Sequence, residues 1–132
     1  MIVLDASVVI AILSREDDHH DRAEFFFRST FSDGYLAHSL TLAEILVGPI
    51  RARRETVALR ALDGLGISEW APGAGGAARL AKLRAEASLK LPDCCVLDAA
   101  IETGSSLATF DQRLASAAAA LGVRVAIDAP NS

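Results

Sequence analysis

The chain has 132 residues, 13 Lys and Arg against 17 Asp and Glu, a formal net charge of −4 and 52% hydrophobic residues. That balance excludes a disordered polar tail, a collagen-like fibre and a basic arm that coats nucleic acid, and the length suits one unit burying about two-thirds of its unfolded-chain surface. No run reaches the roughly 18–20 apolar residues of a membrane helix, and Met1 to Asp5 lacks the basic start and apolar core of an export signal, so a cytoplasmic location is expected.

Alanine supplies 25 of the residues. With short β-branched runs between the Ala-rich stretches, this predicts many helices around a small sheet. Ile2-Val3-Leu4 reads as a buried strand ending at Asp5, and 7–13 as a helix with Val8, Ala11 and Ile12 on its apolar face. Over 17–31, Ala23, Phe26, Phe27 and Phe31 recur at helical spacing and form one stripe, closed by Gly34. Tyr35-Leu36-Ala37 follows as a strand, 41–47 as a helix stopped by Gly48-Pro49, and 51–62 as a further helix. Asp63-Gly64-Leu65-Gly66 is a turn, 67–70 a short strand, and Pro72 to Gly76 a flexible lead into a helix over 77–89. Beyond Leu91-Pro92 the pattern predicts a helix over 93–102, a strand over 105–110, a helix over 111–121 and a final strand over 123–127. Trp70 reads as a core residue. Cys94 and Cys95 are adjacent, a spacing that matches neither a disulfide framework nor a zinc pair, and read as small packing residues in a reducing compartment.

Strands alternating with helices argue for an α/β fold whose parallel sheet is covered on both faces and binds ligands at the carboxyl ends of its strands. Acidic residues fall at such ends. Asp5 follows the first strand, Glu44 lies in the helix after the second, Asp93 opens a helix after Pro92, and Asp111 follows Ala108-Thr109-Phe110. Two unit charges about 4 Å apart repel by about 4 kcal/mol at an effective dielectric of 20, so a converging set must protonate, spread apart or bind cations. Mg²⁺ or Mn²⁺ suits carboxylate oxygens, and no grouping of His or Cys points to a softer metal. Each acid also has an ordinary structural reading: Asp5 and Asp111 as N-caps, Asp93 in a first helical turn, and Thr41-Leu42-Ala43-Glu44 as a capping box.

Taken in order, Val3-Leu4-Asp5-Ala6-Ser7-Val8-Val9, Leu40-Thr41-Leu42-Ala43-Glu44-Ile45-Leu46-Val47-Gly48, Leu91-Pro92-Asp93 with Ala99-Ala100, and Leu107-Ala108-Thr109-Phe110-Asp111 resemble the PIN domain family. Within that family the likeness is to the small VapC toxin ribonucleases of bacterial toxin–antitoxin pairs. The resemblance implies a PIN-like three-layer sandwich, a small, mostly parallel, twisted sheet flanked by helices, as a single domain over 1–132. It implies an endoribonuclease dependent on Mg²⁺, with Mn²⁺ as a substitute, that cuts tRNA or rRNA loops and leaves a 5′-phosphate and a 3′-hydroxyl. Asp5, Glu44, Asp93 and Asp111 match the family's catalytic and metal-binding acids, and Ser7 and Thr109 the hydroxyl residues that orient them. Ser7 reads equally as a cap of the first helix. The resemblance also implies a homodimer and a cognate VapB-like antitoxin whose tail lies across the active-site groove. The Phe25, Phe26, Phe27 and Phe31 helix has more apolar faces than one buried stripe needs, so at least one ring is expected to face outward, with Phe25 at the antitoxin groove.

Asp98 departs from the family pattern, which has a small or apolar residue there. Five residues at about 100° each turn it about 140° from Asp93, so it is expected at the surface or an interface. Setting the four acids aside leaves 13 acidic residues against 13 basic ones, and net charge therefore does not exclude RNA. Arg51, Arg53, Arg54 and Arg60, and Arg79, Lys82, Arg84 and Lys90, are either phosphate contacts flanking the cleft or solvated helix faces. His19 and His20 point about 100° apart and are expected as exposed helix-start residues. Two competing functions remain: a phospho-receiver domain, against which stands the position of Lys82 and Lys90 before Asp93, and a catalytically silent PIN-like module that binds RNA or protein.

Overall fold

The computed structural model describes residues 1–127. In chain order these form β1 (Ile2–Leu4), α1 (Ala6–Leu13), α2 (His20–Thr30), a 3₁₀ turn (Phe31–Asp33), β2 (Tyr35–His38), α3 (Ser39–Arg51), α4 (Glu55–Gly64), β3 (Ile67–Trp70), α5 (Gly76–Ala87), α6 (Leu91–Thr103), β4 (Ser106–Ala108) and α7 (Gln112–Ala120). The last five positions of the expected 1–132 domain lie outside the described residues. No helix among them is long and apolar enough to cross a membrane.

The strands pair in parallel in the order β3-β2-β1-β4, with Val3 in register with Leu36 on one side and Leu107 on the other. Because β1 is central, all three of its residues are buried, and the alternation of a strand sends them to two separate cores. Ile2 and Leu4 pack with Val8, Val9, Phe26, Phe27, Tyr35, Ile45 and Leu62 under α1 to α4. Val3 packs with Leu97, Leu107, Leu114 and Ala118 under α6 and α7, with Leu80 and Leu83 of α5 outside them. The result is the expected α/β sandwich of helices, sheet and helices. Cys94 and Cys95 are free and buried, as their packing role requires, and burial pushes the Cys95 thiol up to about 11. Trp70 is half-buried against the second core, edge-on to His38.

Several expectations are corrected by packing. Gly48-Pro49 does not stop α3, which continues to Arg51; a proline so near a helix end removes a single backbone donor, and the turn comes at Arg53, with φ of 57°. Consequently α4 starts at Glu55 rather than 51 and runs through Gly64. Phe31 leaves the buried stripe: Thr30 bonds back to the Phe26 carbonyl at 2.8 Å, the chain tightens into the 3₁₀ turn, and the ring is 74% exposed. The strand expected over 105–110 ends at Ala108, because the next amides turn to side chains, Phe110 N–H to Ser7 Oγ and Asp111 N–H to Thr109 Oγ1. A strand this short offers little edge. The segment 123–127 accordingly makes one parallel bridge, Leu107 to Val125, instead of a full strand.

Asp98 is not at the surface. α6 is buried all round from Cys94 to Ala100, and the side turned 140° from Asp93 is covered by α5. Asp98 is 2% exposed and receives a two-pronged bond from Arg79, Nε to Oδ1 at 2.8 Å and Nη2 to Oδ2 at 3.2 Å. His19 and His20 are likewise half-buried rather than exposed. His19 stacks on Phe110 with centroids 4.7 Å apart, and His20 bonds through Nδ1 to the Ala11 carbonyl at 2.7 Å, tying α2 to α1.

Candidate active site

In a parallel α/β sheet the strand order reverses once, and the crevice beyond the strand ends at that point receives ligands. Here the reversal lies between β1 and β4. Asp5 leaves the end of β1 with its amide donating to the Ala108 carbonyl at the end of β4, so positions more than a hundred residues apart are joined at one edge.

Asp5 is the backbone N-cap of α1, but its carboxylate makes no cap bond. Its Oδ2 instead accepts from Ser7 Oγ at 2.8 Å and Thr109 Oγ1 at 2.7 Å. Two hydroxyl donors on one oxygen fix the plane of the carboxylate. Among the described residues Oδ1 has no hydrogen-bond partner. Ser7 is therefore no cap: it sits inside the first turn of α1, and its oxygen also accepts from the Phe110 amide at 3.2 Å. Thr109, 4% exposed, likewise bridges two acids, donating to Asp5 and accepting from the Asp111 amide at 3.0 Å.

Asp111 does cap. Its Oδ1 accepts from the Arg113 and Leu114 amides at 2.9 and 3.4 Å, which anchors it at the start of α7. Asp93 is the third residue of α6, after Pro92. The capping-box reading of Glu44 fails, since α3 begins at Ser39 and Thr41 is buried inside it. The cap is His38, a residue the sequence did not single out, whose Nδ1 accepts from the Leu40 amide at 3.0 Å. Burial holds His38 below its ordinary pKa, against the pull of Asp98. Glu44 is thus mid-helix, and among the described residues its side chain makes no hydrogen bond or ion pair.

All four carboxylates line one cleft of about 530 Å³, together with Ala6, Arg84, Ser88, Leu89, Lys90, Pro92 and Arg113. Their charges feel one another. Burial, then Asp5, then Asp93 raise the Glu44 pKa above its usual range. Asp93 is raised by burial, Asp5 and Asp111, and drawn back by Lys90 and Arg113. The donor set fits a hard divalent cation, being all oxygen, with no His or Cys among the lining residues. No three of the four acids come within 4.8 Å of one another, a spacing met among the described residues by His20, Asp21 and Glu24. Such an open set leaves room for the waters that Mg²⁺ retains.

Of the basic residues named from sequence, Arg84 and Lys90 line the cleft, while Arg51, Arg53, Arg54, Arg60 and Lys82 do not, and Arg79 is taken by Asp98. Arg113 was missed. The available signal was its place two residues after Asp111, on the first turn of the helix that Asp111 caps.

The PIN domain family model matches residues 2–120 of the chain. Comparison with curated proteins finds no significant match by sequence. Solved structures share the fold. Mycobacterium tuberculosis VapC20, a sarcin-ricin loop cleaving toxin, aligns with a TM-score of 0.74 at 14% identity, over 89% of this chain and 95% of that one. A chain of a toxin–antitoxin complex from Klebsiella pneumoniae aligns at 0.71 and 22% identity, over 88% and 91%. FitAcB from Neisseria gonorrhoeae aligns at 0.71 and 21% identity, over 95% and 96%.

Proposed function

The chain belongs to the PIN domain family, and from that premise we propose that it is a divalent-metal-dependent endoribonuclease, the toxin of a toxin–antitoxin pair. One observation carries the reading: four carboxylates from four separate segments meet in a single cleft at the reversal point of the sheet. The sheet order also speaks against a phospho-receiver, whose flavodoxin-like order is 2-1-3-4-5.

Asp5, Glu44, Asp93 and Asp111 would hold Mg²⁺ or Mn²⁺. When bound, such an ion neutralises the phosphodiester, acidifies a bound water and stabilises the leaving oxygen. The protein's own part is orientation. Ser7 and Thr109 hold the Asp5 carboxylate in place through Oδ2, and Thr109 couples Asp5 to the backbone of Asp111. Asp111, pinned through Oδ1 to the α7 amides, keeps Oδ2 for the cleft. Glu44 stands in the same cleft, and the alternative to its place among the metal-holding acids is that of general base toward the attacking water.

The substrate we assign is looped RNA of the tRNA or rRNA class, as the sarcin-ricin loop is for the Mycobacterium neighbour. Structural neighbours have been crystallised in toxin–antitoxin complexes. Phe25, 67% exposed, lines with Phe26, Ala126 and Ile127 a groove that contains none of the four acids, and an antitoxin would be received there with its tail reaching on to the acidic cleft. The exposed Val47 and Ile50, three residues apart on α3, are where a homodimer would bury apolar surface. The PIN match supports a single domain.

Incubating the purified protein with structured RNA and Mn²⁺ tests the activity. Cleavage to 5′-phosphate ends is expected, abolished by EDTA and reduced at least a hundredfold by Asp5→Asn, on the order of the effect of losing a key electrostatic group. Equal cleavage by metal-free protein, or by Asp5→Asn, would overturn the reading, and absence of cleavage favours the silent module.

A further inference from the structure

The cleft carries charge of both signs, and its three cations are not equivalent. Arg84 donates from Nη1 to the Leu89 carbonyl at 2.6 Å and is committed to the turn between α5 and α6. Lys90, the N-cap residue of α6, and Arg113, on the first turn of α7, are exposed and line the cleft from different elements. Among the described residues neither side chain makes a hydrogen bond or an ion pair, although both are near enough to Asp93 to act on its charge.

A ribonucleic strand entering this cleft brings a row of phosphates. A cation held by the carboxylates serves the scissile one, and its neighbours meet an acidic pocket unless positive side chains stand beside it. Lys90 and Arg113 stand there, with their charged ends unspent. Building on the nuclease reading, we propose that Lys90 and Arg113 form a two-point clamp for the RNA phosphates on either side of the scissile phosphate. The ligand chemistry is the polyanionic backbone, not the base. Lysine offers a mobile point charge and arginine a planar fork, so the clamp positions the strand without reading its sequence. It also requires nucleotides on both sides of the cut, which makes the enzyme an endonuclease by construction.

The test reads binding separately from turnover. In an Asp5→Asn background with Mg²⁺, anisotropy of a short fluorescein-labelled single-stranded oligoribonucleotide is followed as salt is raised. Lys90→Ala and Arg113→Ala are each expected to weaken binding at low salt and to lower the slope of log K against log salt by about 0.7, the value for one phosphate contact on a single strand. Lys82→Ala, on α5 outside the cleft, leaves the slope unchanged; a loss equal to the others would mean a diffuse field and overturn the clamp. So would unchanged slopes in Lys90→Ala and Arg113→Ala, with tighter Mn²⁺ binding as the sign that these residues merely offset Asp93, and so would no RNA binding by the background protein. Binding with the expected slopes but no cleavage by the wild type would leave the clamp standing and remove the nuclease reading.

Discussion

Burial and the charges of Asp5 and Asp93 raise the Glu44 carboxyl above its ordinary range. An acid whose pKa is raised on folding binds its proton more tightly folded than unfolded, so its ionisation costs stability. The cost sets in as pH rises through the unfolded-state value and is complete above the folded one. Glu44→Gln is therefore expected to stabilise the metal-free protein near neutrality, by less than about 1 kcal/mol because the group is exposed and screened. Below about pH 4 the gain fades, since Glu44 is then increasingly protonated in the folded and the unfolded chain alike. Urea unfolding in EDTA at the two pH values measures this, and a midpoint difference independent of pH would contradict it. Asp5 illustrates what one residue reveals in sequence. A carboxylate after a strand and before a helix serves as cap or as ligand from the same position. The choice was settled by Ser7 and Thr109, which bind Oδ2 in place of the helix amides, and Thr109 is too far along the chain for local spacing to show it.

At the scale of elements, periodic apolar residues announced α2 because it has one buried stripe, carried by Ala23, Phe26 and Phe27. α6 has no such stripe, being buried all round, and a helical-wheel argument that assumes a solvent side misplaced Asp98. The charge there is tolerated because Arg79 reaches in from α5. Removing the two partners has unequal consequences. Arg79→Ala strands a carboxylate in the interior, whereas Asp98→Ala leaves a guanidinium that is partly exposed and has Glu102 at 3.6 Å. Thermal denaturation should show the larger drop, several degrees, for Arg79→Ala, with much of it recovered in Arg79→Met/Asp98→Leu, as expected when a buried pair is replaced by apolar packing. Equal losses, or the reverse order, would mean that the pair is not the tie between α5 and α6. The prolonged α3 has a similar origin: a Gly-Pro pair predicts a stop from local preference, while the helix spends only one bond to continue.

For the whole molecule, the strand order converts distant carboxylates into one site, and an ion held there links to global stability. A site at one hundred times its Kd of Mn²⁺ stabilises by about 2.7 kcal/mol, a rise in Tm on the order of 10 °C for a chain of this size. Asp93→Asn should abolish that rise. His20, Asp21 and Glu24 are the competing cluster; a rise that survives Asp93→Asn and is lost in Glu24→Ala would move the ion to α2.

By itself the sequence determined the alternation of strands and helices, the α/β class and the family likeness, and named four acids that the fold brings to one cleft, since these rest on local preference, short-range periodicity and residue chemistry. Tertiary structure decided which charges share a space. It put Lys90 and Arg113 in the cleft, withdrew Arg79 into a buried pair with Asp98, and gave Asp5 its two hydroxyl partners. Those outcomes depend on how β1 and β4 pair across the length of the chain and how α5 covers α6, and no short window of sequence contains the contacts that impose them.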